Sequence, residues 1–306
     1  MICLAAVCLA QTPGIPGLGW IADEEPGRYQ RVTGLAGAAQ LDAEIHLGPS
    51  RLLAVRPGGP AAISVSEEGA VFLVKLEAAD DSRGAALEGA LEAPAVVAWS
   101  PSGDALLLAG GGRIQVWRAD GGGPPSLLRE FPFEAEAAAV SDGGARVLAR
   151  AGGALYLLDE DGAIEPVSGG PAGAFTFLGG SPQFAWIENS ALRFGGAGAP
   201  PEGLELGELP EGSRRLLAGA APDKLLLVEP GAGETRLRVW DVEGAVEGEW
   251  RIPAEVTELH ATGVRGVVRL GTRGAGPVWM ADLAAVEPSV FFVPRGGRQA
   301  HPGGEQ

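Results

Sequence analysis

The chain has 306 residues, 46% of them hydrophobic and 20% charged, enough apolar material for a sizeable core. Its formal net charge of −16 excludes sequence-independent nucleic-acid binding, which needs clustered Lys and Arg against phosphate. The pair Arg214–Arg215 is too small to serve as such a cluster. With 49 Gly and 24 Pro the chain is heavily punctuated, so many short elements are expected rather than a few long ones.

From the N-terminus, residues 2–10 read ICLAAVCLA, followed by QTPGIPG. An apolar run ending in Cys8-Leu9-Ala10 has the form of a secretory signal and its small-x-small cleavage site, so residues 1–10 are expected to be a signal peptide. Export to a periplasmic or extracellular compartment follows from it. Both cysteines, Cys3 and Cys8, lie inside that segment, so the mature chain is expected to carry no disulfide and no thiolate metal site. No apolar run of about twenty residues exists, so no membrane insertion is expected.

Past the leader, strand-like segments recur in phase. One series is LGWIADE from Leu18, AAISVSE from Ala61, ALLLAGG from Ala105, ARVLARA from Ala145, QFAWIEN from Gln183, KLLLVEP from Lys224 and GVVRLGT from Gly266. Their steps lie between 38 and 44 residues. A second series keeps the same phase: Arg28, Val71, Ile114, Leu155, Leu192, Leu237 and Val278 each open a strand-like run. Gly, Pro, Ser and Asp fill the turns ahead of the first series, as in Ser102-Gly103-Asp104 and Asp142-Gly143-Gly144.

A period near forty residues with several strands per unit is the signature of a propeller. The predicted fold is all-β: a seven-bladed β-propeller of four-stranded antiparallel blades over residues 11–298, with a disordered C-terminal tail at 299–306. Continuous apolar runs such as ALLLAG fit strands covered on both sides by neighbouring blades. Ser289–Val293 is expected as the outermost strand of the seventh blade. An open ring would leave unpaired edges, so closure by pairing of the terminal segments is expected. The glycine- and proline-rich pieces GGGPP, GGAGAPPEG and PGAGE read as loops inside that ring.

The stretch VVAWSPSGDALLLAGGGRIQVWRAD, residues 96–120, resembles one WD40-type repeat, and RLRVWDVEG at 236–244 resembles the end of another. The Gly-His dipeptide of many such repeats is absent, and the His that pairs with Asp inside them has no counterpart. The resemblance is to the bacterial WD40-like and YVTN-like propellers, through architecture more than motif. It implies a propeller scaffold and carries over no functional residue.

Chemistry is sparse along the chain. Only His46, His260 and His301 are present, and they share no metal-ligand spacing. No G-x-S-x-G elbow and no phosphate-binding glycine loop occurs. The acidic pieces at 22–27, 77–84 and 158–165 read as solvated turns; Asp159 and Asp161 lack the distal Glu of a calcium loop. Trp99, Trp117, Trp186, Trp240 and Trp279 fall on predicted strands, in a phase that points to packing between blades, and Trp20 and Trp250 are less determined. No catalytic, cofactor or metal residue is assigned. The reading is an exported, monomeric, non-enzymatic scaffold that binds a protein or peptide on one propeller face, with no cofactor. The alternative is a lactonase-like, lyase-like or quinoprotein-like enzyme with a carboxylate-lined metal site at the central axis, a structural or catalytic calcium being one such metal.

Overall fold

Each unit of the repeat folds as one antiparallel sheet in the computed structural model of the chain. It describes residues 17–22, 28–46, 50–76, 84–119, 123–196, 203–209, 214–231, 233–272 and 276–295. The expected signal peptide, the C-terminal tail and most of the acidic pieces at 22–27 and 77–84 lie outside these residues.

The described residues form seven sheets. Blade I holds β1 (Gly17–Ala22), β2 (Arg28–Thr33) and β3 (Gln40–His46); blade II holds β4 (Ser50–Val55), β5 (Ala61–Ser66), β6 (Val71–Lys75) and β7 (Ala85–Ala86). Blade III runs through β8 (Val96–Trp99), β9 (Ala105–Gly110), β10 (Arg113–Arg118) and β11 (Ser126–Phe131). Blade IV contains β12 (Ala137–Val140), β13 (Val147–Ala151), β14 (Ala154–Leu158) and β15 (Ile164–Pro166). Blade V is β16 (Ala172–Phe177), β17 (Phe184–Glu188), β18 (Ala191–Gly195) and β19 (Leu204–Glu205). Blade VI is β20 (Leu216–Ala221), β21 (Lys224–Pro230), β22 (Thr235–Asp241) and β23 (Val246–Ile252). Blade VII closes the series with β24 (Val256–Ala261), β25 (Val267–Thr272), β26 (Val278–Asp282) and β27 (Ser289–Val293). All the pairs within these sheets are antiparallel and join neighbours in sequence, for example Leu107 opposite Val116.

The two series of strands read from the sequence are the second and third strands of blades II to VII, and β1 and β2 of blade I. Burial explains their composition. In β9 Leu106, Leu107 and Leu108 are all fully buried, because successive side chains point to opposite faces and both faces are covered. Leu106 and Leu108 face blade II beside Ile63, Val65 and Trp117. Leu107 faces blade IV with Val116, Val140, Val147 and Leu158. The same interdigitation recurs at each of the seven blade interfaces. Hydrophobic burial on this scale dominates the stability of such a ring.

The tryptophans follow that logic. Trp20, Trp117, Trp186 and Trp240 are buried in four different interfaces. Trp279 packs edge-on against Phe292 with centroids 5.6 Å apart.

The expected pairing of the terminal segments falls on residues 1–16 and 296–306, which lie outside the described residues. Six of the sheets have four strands and blade I has three among the described residues. β27 is the outermost strand of blade VII, as the sequence indicates. No described strand from one end enters the sheet of the other. Among the described residues, side-chain packing joins blades VII and I: Leu18, Ile21 and Val32 lie against Val267, Met280, Phe291 and Val293. One backbone bond, from the Trp20 N–H to the Thr262 carbonyl, crosses the same seam. Gly19 permits it, because a Cβ there would overlap that carbonyl and its φ is +111°. At the axis β24 and β4 come within 8 Å of each other, so the inner strands of blades II to VII encircle the axis. Small residues let them approach. Gly219 in β20 faces the Phe177 carbonyl of β16 with no room for a Cβ.

Candidate functional site

A propeller has two faces and an axial channel. On the first face lie the turns between the first and second strands and between the third and fourth. Here several polar groups are spent on the ring itself. Asp142 accepts the Ser102 N–H of blade III on one carboxylate oxygen and the Gly180 N–H of blade V on the other, both at 2.8 Å. Asp104 reciprocates by accepting the Gly143 N–H of blade IV at 2.9 Å. Arg56 of blade II donates to the Gly103 and Ala119 carbonyls of blade III, both at 2.7 Å. Trp99 donates its indole N–H back to the Ala54 carbonyl at 2.9 Å. Gly179 and Pro222 form a bridge between blades V and VI.

The acidic turn at 158–163 belongs to this face. Asp159 accepts the Asp161 and Ala163 N–H groups at 3.0 and 2.9 Å, an Asx turn.

The axial cavity has a volume of about 400 Å³ and is mostly apolar, with Ala98, Ala139, Leu217 and Leu259 in its wall. Its described lining includes one ionisable side chain, His260. The imidazole Nε2 lies 3.1 Å from the Glu258 carboxylate. Burial holds His260 below its ordinary value, Arg269 adds to this, and Glu258 opposes it. His46, on β3, lies at the periphery, 3.2 Å from Glu44. The structure therefore does not bring His46 and His260 together. Among the described residues no carboxylate lines this cavity. Among the described residues no three His, Cys, Asp or Glu side chains gather as a metal-ligand set.

The second face carries the hairpins between second and third strands and the links from one blade to the next. Between blades IV, V and VI it opens into a cavity of about 690 Å³. Arg150, Arg214 and Arg215 line it together with one carboxylate, Glu136. Arg150 lies 3.4 Å from Glu136 and donates to the Ala172 and Gly173 carbonyls of blade V at 3.4 and 3.3 Å. Arg215 is buried against Glu229 at 3.0 Å and donates to the Gly207 carbonyl. Glu229 also takes Arg238, so one buried carboxylate is shared by two guanidiniums. Arg238 in turn stacks over Trp240, 5.3 Å from the ring centroid.

The rim of this cavity has an unusual hairpin. Residues 111–112 and 152–153 are glycine pairs at positive φ, as a tight two-residue turn prefers. In blade V the same place holds Asn189 and Ser190, at φ 48° and 65°. Both side chains are exposed. These residues, with Arg150 and Arg214, were missed from the sequence. The absence of the glycine pair at 189–190 was a readable signal.

No known protein family matches the sequence, and no curated protein matches it. Solved structures do. The β-propeller domain of Myceliophteria thermophila Cps50 (Swd1) is similar with a TM-score of 0.52 and 16% identity, covering 78% of this chain and 84% of that one. The C-terminal WD40 domain of Sif2 is similar with a TM-score of 0.52 and 13% identity, covering 87% of this chain and 78% of that one. The chain is a WD40-like β-propeller in fold. Among the described residues no helix is long and apolar enough to cross a membrane.

Proposed function

We propose that this chain is an exported, monomeric, non-enzymatic scaffold that holds a protein or peptide partner on the second face, over the cavity between blades IV, V and VI. The observation that carries the reading is the Asn189–Ser190 hairpin. Positive φ costs a residue other than Gly, Asn or Asp roughly 1–2 kcal/mol, yet Ser190 adopts it and this hairpin keeps two exposed polar side chains at the lip of an arginine-lined cavity. Strain of that kind concentrates where a surface contacts something else. On the first face Asp142, Asp104, Arg56 and Trp99 are spent on neighbouring blades. Propeller faces gather loops from every blade and so suit peptide recognition, a fold-level analogy that adds support. The apolar run at residues 2–10 supports export.

Site-specific photo-crosslinking tests the reading in the cells that make the protein. A benzophenone side chain at position 190 is expected to capture a partner, and one at position 161 on the first face is not. Capture from 161 alone would overturn the assignment of the face. Export is tested separately by sequencing the N-terminus of the mature chain, expected to begin after Ala10; a chain beginning at Met1 would refute it.

A further inference from the structure

The partner's chemistry can be narrowed, on the premise that the second face is the binding face. We infer that the cavity between blades IV, V and VI receives a single carboxylate of the partner, either an Asp or Glu side chain or a free chain end. Three guanidiniums and one carboxylate in the lining leave a positive excess on a chain whose net charge is −16. The three arginines are held differently. Arg215 is fixed from below by Glu229 and the Gly207 carbonyl, and Arg150 is pinned to blade V by two carbonyls. Arg214 is exposed at the mouth and makes no ion pair among the described residues. A cation pre-positioned by its neighbours, beside a second that is free to close on a ligand, suits the forked recognition of a carboxylate.

The Asn189 amide and the Ser190 hydroxyl add donors at the rim. Ile187, Leu209 and Leu216 supply apolar wall for the chain that carries the carboxylate. Glu136 decides the ligand's charge. Its carboxylate shares the wall with Arg150, so the second negative charge of a phosphate would face it.

The test uses the full mature chain, labelled with ¹⁵N, and three capped tripeptides. Acetyl-Ala-Glu-Ala-amide carries a side-chain carboxylate, acetyl-trialanine a free chain end, and acetyl-trialanine-amide neither. Saturable amide shifts at 150, 172–174, 189–190 and 214–216 are expected with the first two and not with the third. The tighter of the two identifies the source of the carboxylate. Arg214→Glu, at an exposed position, is expected to weaken that binding about tenfold, the loss of one charge-assisted hydrogen bond, with other amide shifts unchanged. Absence of carboxylate-dependent shifts at these amides, or tighter binding of inorganic phosphate than of either peptide, would overturn the inference. Cross-linking from position 190 that is undiminished in Arg214→Glu would also overturn it, while leaving the binding face intact.

Discussion

Asp142→Ala removes one residue that ties three blades together. The two carboxylate oxygens hold the Ser102 and Gly180 N–H groups, 40 and 38 residues away in sequence. A hydrogen bond to a charged group contributes about 1.5–3 kcal/mol when water is excluded. Asp142 is half-buried, so water can replace part of each bond and the lower end applies. The expected loss is about 2–3 kcal/mol for the pair. Asp142→Asn keeps one acceptor oxygen and turns an amide N–H₂ toward the other N–H, so it should lose more than half of that amount. Asp161→Ala on the same face is the control, since its carboxylate accepts no hydrogen bond among the described residues; it should stay within about 0.5 kcal/mol. Equilibrium urea unfolding followed by tryptophan fluorescence reads all three. Equal midpoints for Asp142→Ala and Asp161→Ala would refute the claim that this face is stitched across blades.

Other expectations follow from the same packing and charges. Leu107→Ala should cost about 2–5 kcal/mol by leaving a cavity between blades III and IV, measured in the same unfolding series. Glu229→Ala should cost about 3–5 kcal/mol, because it strands the Arg215 and Arg238 guanidiniums in a buried site; a loss below that of an exposed pair would contradict the shared ion pair. Ser190→Gly, which creates the Asn-Gly pair favoured in tight hairpins, should raise stability by up to about 1 kcal/mol while weakening capture at the second face. His260 should titrate below 6.5 by NMR. Its folded value is depressed, so its contribution to stability is complete above the unfolded value and is lost as pH falls through the folded one. With a side chain 42% exposed, that contribution is small.

The strands were legible because their signal is local. A strand covered on both faces, such as β9 or β21, shows itself as an unbroken apolar run between turn residues. Trp117 and Trp240 were placed correctly because they repeat in phase with those runs. Contacts between units were not legible. Nothing in the order of residues pairs Asp142 with Ser102 and Gly180, since only the ring brings turns about forty residues apart into hydrogen-bonding distance. Arg215 looked like half of a small basic pair; its burial against Glu229 depends on how β20 meets β21. The seam between blades VII and I also depends on closure. Its apolar faces resemble those of any other blade, and the pattern does not say whether strands or side chains will join them.

Amide hydrogen exchange on the native protein, read residue by residue, tests the central contrast between first-face turns tied to neighbouring blades and the 189–190 hairpin left open on the second face. The Ser102, Gly143 and Gly180 amides, and Trp20 at the seam, should exchange slowly, while the hairpin amides of Asn189 and Ser190 exchange fast. Fast exchange at Ser102 and Gly180, with slow exchange at Asn189 and Ser190, would reverse the roles of the two faces and contradict the reading.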